Sequence, residues 1–272
     1  MTAAGLYEQV RLKMSFLCVG LDSDIGKIPR HLHLLESPVL EFNKKIIDST
    51  HDLAVAYKPN LAFYEARGAE GWTVLKKTVE YIRSVDPDIF LIADAKRGDI
   101  GNTGAMYAKA FFEEMDFDAI TLSPYMGKDT VTPFLDYEGK WVILLGLTSN
   151  PGAEDFQFLT AGSGPGRLFE EVIQQGAEWG GPDQIMFVAG ATRAGLIGDI
   201  RRIIPKHFLL VPGIGAQGGS LKEVVDAGFN DQCGLIVNAS RSILYAADND
   251  AFDQAARKSA LELQQEMATF LS

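Results

Sequence analysis

Sulfur chemistry is scarce in this sequence of 272 residues, which has two cysteines, Cys18 and Cys233. A disulfide framework is excluded, and both thiols sit in apolar runs, FLCVGL and QCGLIV, that read as core. Histidine is also sparse. His31 and His33 share a loop with no further histidine or cysteine close by, so no metal site is expected. No apolar run approaches the ~20 residues of a membrane span. The opening stretch MTAAGLYEQVRLKMSF lacks the apolar core and cleavage site of a secretory signal, so a reducing cytoplasm is the expected location. Basic residues are outnumbered 25 to 36, a net charge of −11. That balance disfavours nucleic acid and membrane surfaces as partners while leaving room for a local basic pocket. No linker, charge block or composition shift divides the chain, and no nucleophile elbow is visible.

What is present is a repeat of short apolar, β-branched runs. They are FLCVGLD (16–22), AVAYKPN (54–60), FLIADAK (90–96), DAITLSP (118–124), WVILLGL (141–147), QIMFVAG (184–190), HFLLVPG (207–213) and GLIVNAS (234–240). Segments of helical periodicity follow them, at 39–52, 72–85, 103–115, 168–179, 192–203, 221–227 and 251–270, with a weaker one at 128–136. Alternation of this kind implies a parallel sheet covered by helices. Eight units in 272 residues average 34 each, which suits a βα repeat of ~30 residues or more and selects an α/β fold, a (β/α)8 TIM barrel spanning 1–272 as one unit. The stretches 22–38 and 148–166 are the longest without periodicity.

Nearly every run ends in polar or turn residues, LDSD, KPN, DAKRGD, SPY, LTSNPG, PGIGAQ and NASR, and in a βα barrel those ends build the active site. The third run is the most charged. Asp94 and Lys96, two apart, point to one face of a strand, and Gly98 permits a turn that brings Asp99 back toward them. Lys58 ends the second run. An alternating array of lysines and aspartates keeps a buried lysine charged and able to deliver a proton to a carbanion.

A second cluster follows the last two runs. Pro212, Gly213 and the glycines up to Gly219, together with Ser240 and Arg241, suit the phosphate position common in barrels, where backbone N–H groups and an arginine fork meet the anion. Gly213, Gly215 and Gly218 also match G-x-G-x-x-G. A dinucleotide fingerprint, however, belongs at the first strand of a doubly wound sheet, so that reading is rejected. Asn238-Ala239-Ser240 matches a glycosylation sequon by chance.

Together these residues resemble the orotidine 5′-phosphate decarboxylase family. Its signature Asp-x-Lys-x-x-Asp-Ile-x-x-Thr reads here Asp94-Ala95-Lys96-Arg97-Gly98-Asp99-Ile100-Gly101-Asn102-Thr103. Leu21-Asp22, Lys58, Ser149 with Asn150-Pro151-Gly152, the Pro-Gly-x-Gly-Ala-Gln loop and Ser240-Arg241 follow in order, in the manner of the longer bacterial branch. The resemblance implies decarboxylation of orotidine 5′-monophosphate to UMP with no cofactor. Lys96 would protonate C6, and Asp94 would sit against the departing carboxylate. Asp99 and Thr103 would reach the site of a partner subunit in a homodimer. Asp22 and Lys58 would hold the ribose and Ser149 the pyrimidine edge. Gln217 and Arg241, with backbone groups around Pro212, Gly213 and Ser240, would hold the phosphate.

One position departs from the pattern. Some members carry a tyrosine two residues after the loop glutamine, where this chain has Gly219. Metal-assisted relatives in the superfamily, such as 3-keto-L-gulonate 6-phosphate decarboxylase and hexulose 6-phosphate synthase, share the third-strand pattern but place a glutamate ligand at the end of the second strand. Tyr57-Lys58-Pro59 stands there in this chain, which puts a cation in place of the ligand. A non-catalytic barrel that binds a phosphorylated metabolite is the other alternative.

Overall fold

The computed structural model describes residues 1–161, 166–214 and 219–272. Eight parallel strands close into a barrel in sequence order: β1 (Leu17–Leu21), β2 (Ala56–Pro59), β3 (Phe90–Arg97), β4 (Ala119–Leu122), β5 (Trp141–Leu147), β6 (Ile185–Ala189), β7 (Leu209–Pro212) and β8 (Leu235–Ala239). Closure is made by β1, which pairs with β2 on one side and β8 on the other. The strands are buried almost throughout, because helices cover one face and packed side chains fill the other. That is why the runs read as continuously apolar rather than alternating. Each strand lies within its predicted run except β3, which extends to Arg97.

The helices explain themselves by their apolar spacing. In Pro38–Thr50 a proline opens the first turn and Val39, Phe42, Asn43, Ile46, Ile47 and Thr50 form the buried stripe, the three-and-four spacing of a helix laid on a sheet. Leu168–Trp179 coincides with its predicted range. The helix after β3 starts at Gly101, two residues early, and passes into a wide turn at Ala110–Glu114. The weak helix after β4 is two short turns, Lys128–Thr130 and Thr132–Leu135.

An unanticipated helix, Ala3–Lys13, lies outside the barrel repeat. It buries Leu6 and Val10 completely, about 1.5–3 kcal/mol for each side chain. It is tied down by Ala3 N–H on Asp183 Oδ1 (2.7 Å) and Trp141 Nε1–H on the Met1 carbonyl (2.7 Å). The Trp141 ring meets Phe90 and Phe208 edge-on, at 5.8 and 6.4 Å between centroids. Aromatics at the starts of β3 and β5 and just before β7 therefore plug the amino-terminal end of the barrel, a layer drawn from alternate strands. The opposite end is left for chemistry.

His207 packs at this plugged end, 8% exposed, with its ring against Phe187. Burial, and then the charge of Arg201, hold its pKa down at about 4. The unfolded imidazole titrates near 6.5, so as pH falls from about 6.5 to 4 the unfolded chain takes up the proton first and stability is lost across that window. Chemical denaturation should show about 2 kcal/mol less stability at pH 5 than at pH 7.5 from this group. His207→Phe should flatten that slope, and an unchanged slope would clear His207 of responsibility.

Candidate active site

At the carboxyl ends of the strands, β2 and β3 bring three charged side chains into one array. Lys58 Nζ lies 2.8 Å from Asp94 Oδ2, and Lys96 Nζ donates to Asp94 Oδ1. Asp22, just after β1, is 3.9 Å from Lys58 Nζ. Lys58 is buried, and burial pulls its pKa down, but the charges of Asp94 and Asp22 outweigh that and hold it above the usual lysine range. For Asp94, burial acts upward and the two lysines downward, with the lysines prevailing, so its pKa falls to about 2. Lys58 and Asp94 are therefore both charged at neutral pH, and Lys96 lies on the second oxygen of Asp94, facing an open mouth.

Two adjoining pockets run over this array. One of about 300 Å³ is lined by Lys58, Asp94, Lys96, Thr121, Ser149 and Pro212, with an apolar wall that includes Leu145, Val188 and Leu210. The other, about 190 Å³, is lined by Asp22, Lys58, Asn60, Gly213, Asn238, Ser240 and Arg241. The first suits a flat ring against charged and apolar walls. The second has two buried polar atoms without a hydrogen bond among the described residues, Asp22 Oδ1 and Ser240 Oγ, and the exposed Arg241, which among the described residues makes no ion pair. Buried polar atoms are costly unless something bonds to them, so this geometry fits a polyhydroxylated, anionic ligand.

Backbone placement accounts for the second pocket. Gly213 adopts φ +102° at the end of β7, a conformation that favours glycine. At Gly20 in β1 an added Cβ would stand 2.8 Å from Ser240 Cβ, so only glycine lets the β8 tip approach so closely. Gly219 closes the base of the loop after β7, its N–H donating to the Gly213 carbonyl at 3.2 Å. A Cβ at Gly219 would meet Ala191 Cβ at 2.7 Å and the Gly213 carbonyl oxygen at 2.9 Å. The tyrosine expected from some relatives therefore has no room here. Gln217, Gly215 and Gly218 lie outside the described residues.

Asp99 differs from the charge-array expectation. Within one chain it does not join the lysines; its Oδ1 accepts from the Ile100 N–H at 2.8 Å. Thr103 is exposed in the first turn of its helix, three residues past the cap. Among the described residues neither makes a hydrogen bond or ion pair with the chain's own array. Asn238, the sequon residue, is buried in β8.

Several supporting residues were not legible in the sequence. Tyr64 Oη–H donates to the Leu21 carbonyl (3.1 Å), and Tyr245 Oη–H donates to the Asp22 carbonyl (2.8 Å) while accepting from the Asp24 N–H. These two hydroxyls hold the Leu21–Asp22 segment from elements far apart in the chain. Asn60 and Thr121 complete the pocket walls. His31, in contrast, faces Asp250 on the surface, and Cys18 and Cys233 are both free and buried. Among the described residues no helix is long and apolar enough to cross a membrane.

A sequence profile of the Orotidine 5'-phosphate decarboxylase / HUMPS family matches residues 15–256. The chain is 58% identical over 268 residues to orotidine 5'-phosphate decarboxylase of Bacteroides fragilis, covering 98% of this chain and 97% of that one. It is 56% identical over 271 residues to the Flavobacterium johnsoniae protein of the same name, covering 100% and 98%. Among solved structures, Leishmania donovani OMP decarboxylase superposes with a TM-score of 0.84 at 37% identity, over 100% of this chain and 99% of that one. Leishmania donovani UMP synthase gives 0.86 at 39%, with 98% of this chain spanning 56% of the longer protein. The eight-stranded barrel, the aspartate held between two lysines at its mouth and these full-length likenesses agree, and the chain belongs to the orotidine 5′-phosphate decarboxylase family.

Proposed function

We propose that this chain removes carbon dioxide from orotidine 5′-monophosphate to give UMP, the last step of de novo UMP synthesis, without a cofactor. The observation that carries the reading is Asp94, ionised and held between Lys58 and Lys96 where a substrate ring fits. The C6–carboxylate bond breaks, its electron pair stays on C6, and Lys96 Nζ supplies the proton that C6 takes up. The carbanion has no conjugated electron sink, so a fixed ammonium in a water-excluded pocket must stabilise it. Asp94, unable to take up a proton at neutral pH, repels the substrate carboxylate in the ground state and not after carbon dioxide has left.

The remaining roles follow the two pockets. Asp22 and Lys58 bind ribose hydroxyls, Ser149 the pyrimidine edge, and Arg241, Ser240 and the backbone at Pro212 and Gly213 the phosphate, with Gln217 assigned there from the family resemblance alone. Phosphate bound far from C6 supplies remote binding energy for the chemical step. Cation chemistry of the kind used by metal-assisted relatives is disfavoured by the donor set, since lysine ammonium groups already occupy both oxygens of Asp94.

The working unit is a homodimer with Asp99 and Thr103 completing the partner's site. Supporting this, Asp99 makes no ion pair with its own array among the described residues, and the segments after β3 and β4 expose Ile100, Met106 on the helix that starts at Gly101, Tyr125 and Met126, apolar side chains that a second copy would cover. Two buried free thiols suit a reducing cytoplasm. The direct test follows the ultraviolet absorbance of orotidine 5′-monophosphate with purified protein, with and without EDTA. Decarboxylation insensitive to EDTA is expected. No decarboxylation would overturn the reading, and loss of activity on chelation would replace it with a metal-assisted one.

A further inference from the structure

Where Asp94 and Lys96 are displayed, the sheet is not regular. β3 and β4 pair at Ala93↔Ile120 and resume at Arg97↔Leu122, so three residues, Asp94, Ala95 and Lys96, stand opposite one, Thr121. Lys96 has φ +48°, the left-handed conformation that non-glycine residues rarely adopt. Such a bulge re-aims side chains and breaks the ladder, and its freed backbone groups need other partners. The Asp94 carbonyl accepts from Leu61 N–H at 3.2 Å and the Ala95 carbonyl from Arg97 Nη1 at 3.0 Å. Lys96 N–H donates to Thr121 Oγ1 at 2.9 Å, and the same hydroxyl donates to Asp94 Oδ1 at 3.1 Å. Thr121 is 1% exposed.

We propose that Thr121 is a positioning residue for the decarboxylation, a single buried hydroxyl that ties the Lys96 backbone to the Asp94 carboxylate across the β3 bulge and so fixes the lysine ammonium over C6. This deepens the functional reading above and rests on it. Arg97 guards the other side of the bulge. Its guanidinium pairs with Glu65 and lies over the Tyr107 and Phe111 rings, at 5.4 and 5.7 Å to the centroids. Arg97 braces the loop from outside, whereas Thr121 hydrogen-bonds to both Lys96 and Asp94. In the sequence Thr121 reads as an ordinary β-branched strand residue, because its partner atoms lie 25 and 27 positions away.

The test compares Thr121→Val, which keeps the shape and removes the hydroxyl, with Thr121→Ser, which returns it. For Thr121→Val, kcat on orotidine 5′-monophosphate should fall on the order of 100-fold, the scale of a misplaced reacting group, with KM within about threefold and thermal stability only modestly lowered. Thr121→Ser should recover at least about tenfold of that loss. A fall confined to KM, a valine variant within about threefold of wild-type kcat, or a serine variant as impaired as the valine one would each overturn the assignment. Should Thr121→Val fail to fold, Thr121→Cys against Thr121→Ser gives the same contrast, sulfur being the poorer bonding partner. Crystal structures of the variants separate this inference from the reaction itself. Lys96 Nζ leaving Asp94 in the valine variant and returning in the serine variant supports it even for a protein inert toward this substrate. An unmoved bulge overturns it even if the wild type decarboxylates.

Discussion

Lys96→Ala is expected to abolish turnover, lowering kcat/KM by at least about 10⁴-fold. On the proposed mechanism the residue would serve twice, as the acid that protonates C6, worth about 10²–10⁴, and as a fixed charge beside the developing carbanion, worth about 10²–10³. Folding should survive. The Lys96 side chain is half exposed, and Asp94 keeps its other partner, Lys58 Nζ at 2.8 Å, so no buried carboxylate is left alone. The proposed phosphate and ribose contacts belong to the neighbouring pocket, so product binding should change far less than turnover. Single-turnover measurements on the pure variant, with a melting curve beside them, read both quantities. A rate within about tenfold of wild type, roughly 1.4 kcal/mol of barrier, would show that another group delivers the proton. Lys96→Arg sharpens the result, because a guanidinium keeps the charge but does not give up its proton near neutral pH. It should remain inactive if proton delivery is required, and regain substantial activity if charge alone suffices.

The same lysine shows how far the sequence carries. Period-two reasoning puts Asp94 and Lys96 on one face, and they do meet, although the backbone between them is a bulge and not a regular strand. The inference survives because the bulge inserts two residues relative to β4, which preserves the alternation. Strands in this barrel are short and bounded by turn residues, so local pattern locates them. The closed barrel then places their polar ends at one mouth without further information. The supports were hidden for the opposite reason. Thr121, Tyr64 and Tyr245 act through hydrogen bonds to residues distant in sequence, and nothing about a threonine in a strand, or a tyrosine in or just after a short helix, marks it as a clamp. Likewise the helix Ala3–Lys13 has a weak apolar contrast, and what holds it is tertiary, Asp183 on its first turn and the Trp141 indole on the Met1 carbonyl. Net charge misleads most. The excess of 36 acids over 25 bases describes the surface as a whole, while the site concentrates Lys58, Lys96 and Arg241 at one opening.

Asp99 carries the second large effect. Among the described residues its side chain bonds to its own turn, and it lies three residues beyond Lys96 in a loop bordered by exposed apolar side chains. If it completes the lysine array of a partner subunit, Asp99→Ala alone should be nearly inactive, and so should Lys96→Ala, but a mixture of the two should not. Random exchange of subunits places half of the protein in hybrid dimers. In each hybrid one site combines both mutations and the other has an intact Lys96 from one chain and an intact Asp99 from its partner. One site in two, in half of the dimers, predicts recovery of about a quarter of wild-type activity from two dead parents, the arithmetic of a shared site in a two-fold dimer. The measurement is made after mixing the unfolded variants and refolding them together, or after co-expression with distinct tags and isolation of the hybrid, where half of wild-type activity is expected. Recovery depends on where Asp99 acts and not on how stable either variant is, because each parent is also assayed alone at the same concentration. An Asp99 that served its own chain would give no recovery at any mixing ratio, since every site would then contain one of the two lesions. An Asp99 that was merely a surface turn residue would leave Asp99→Ala active from the start.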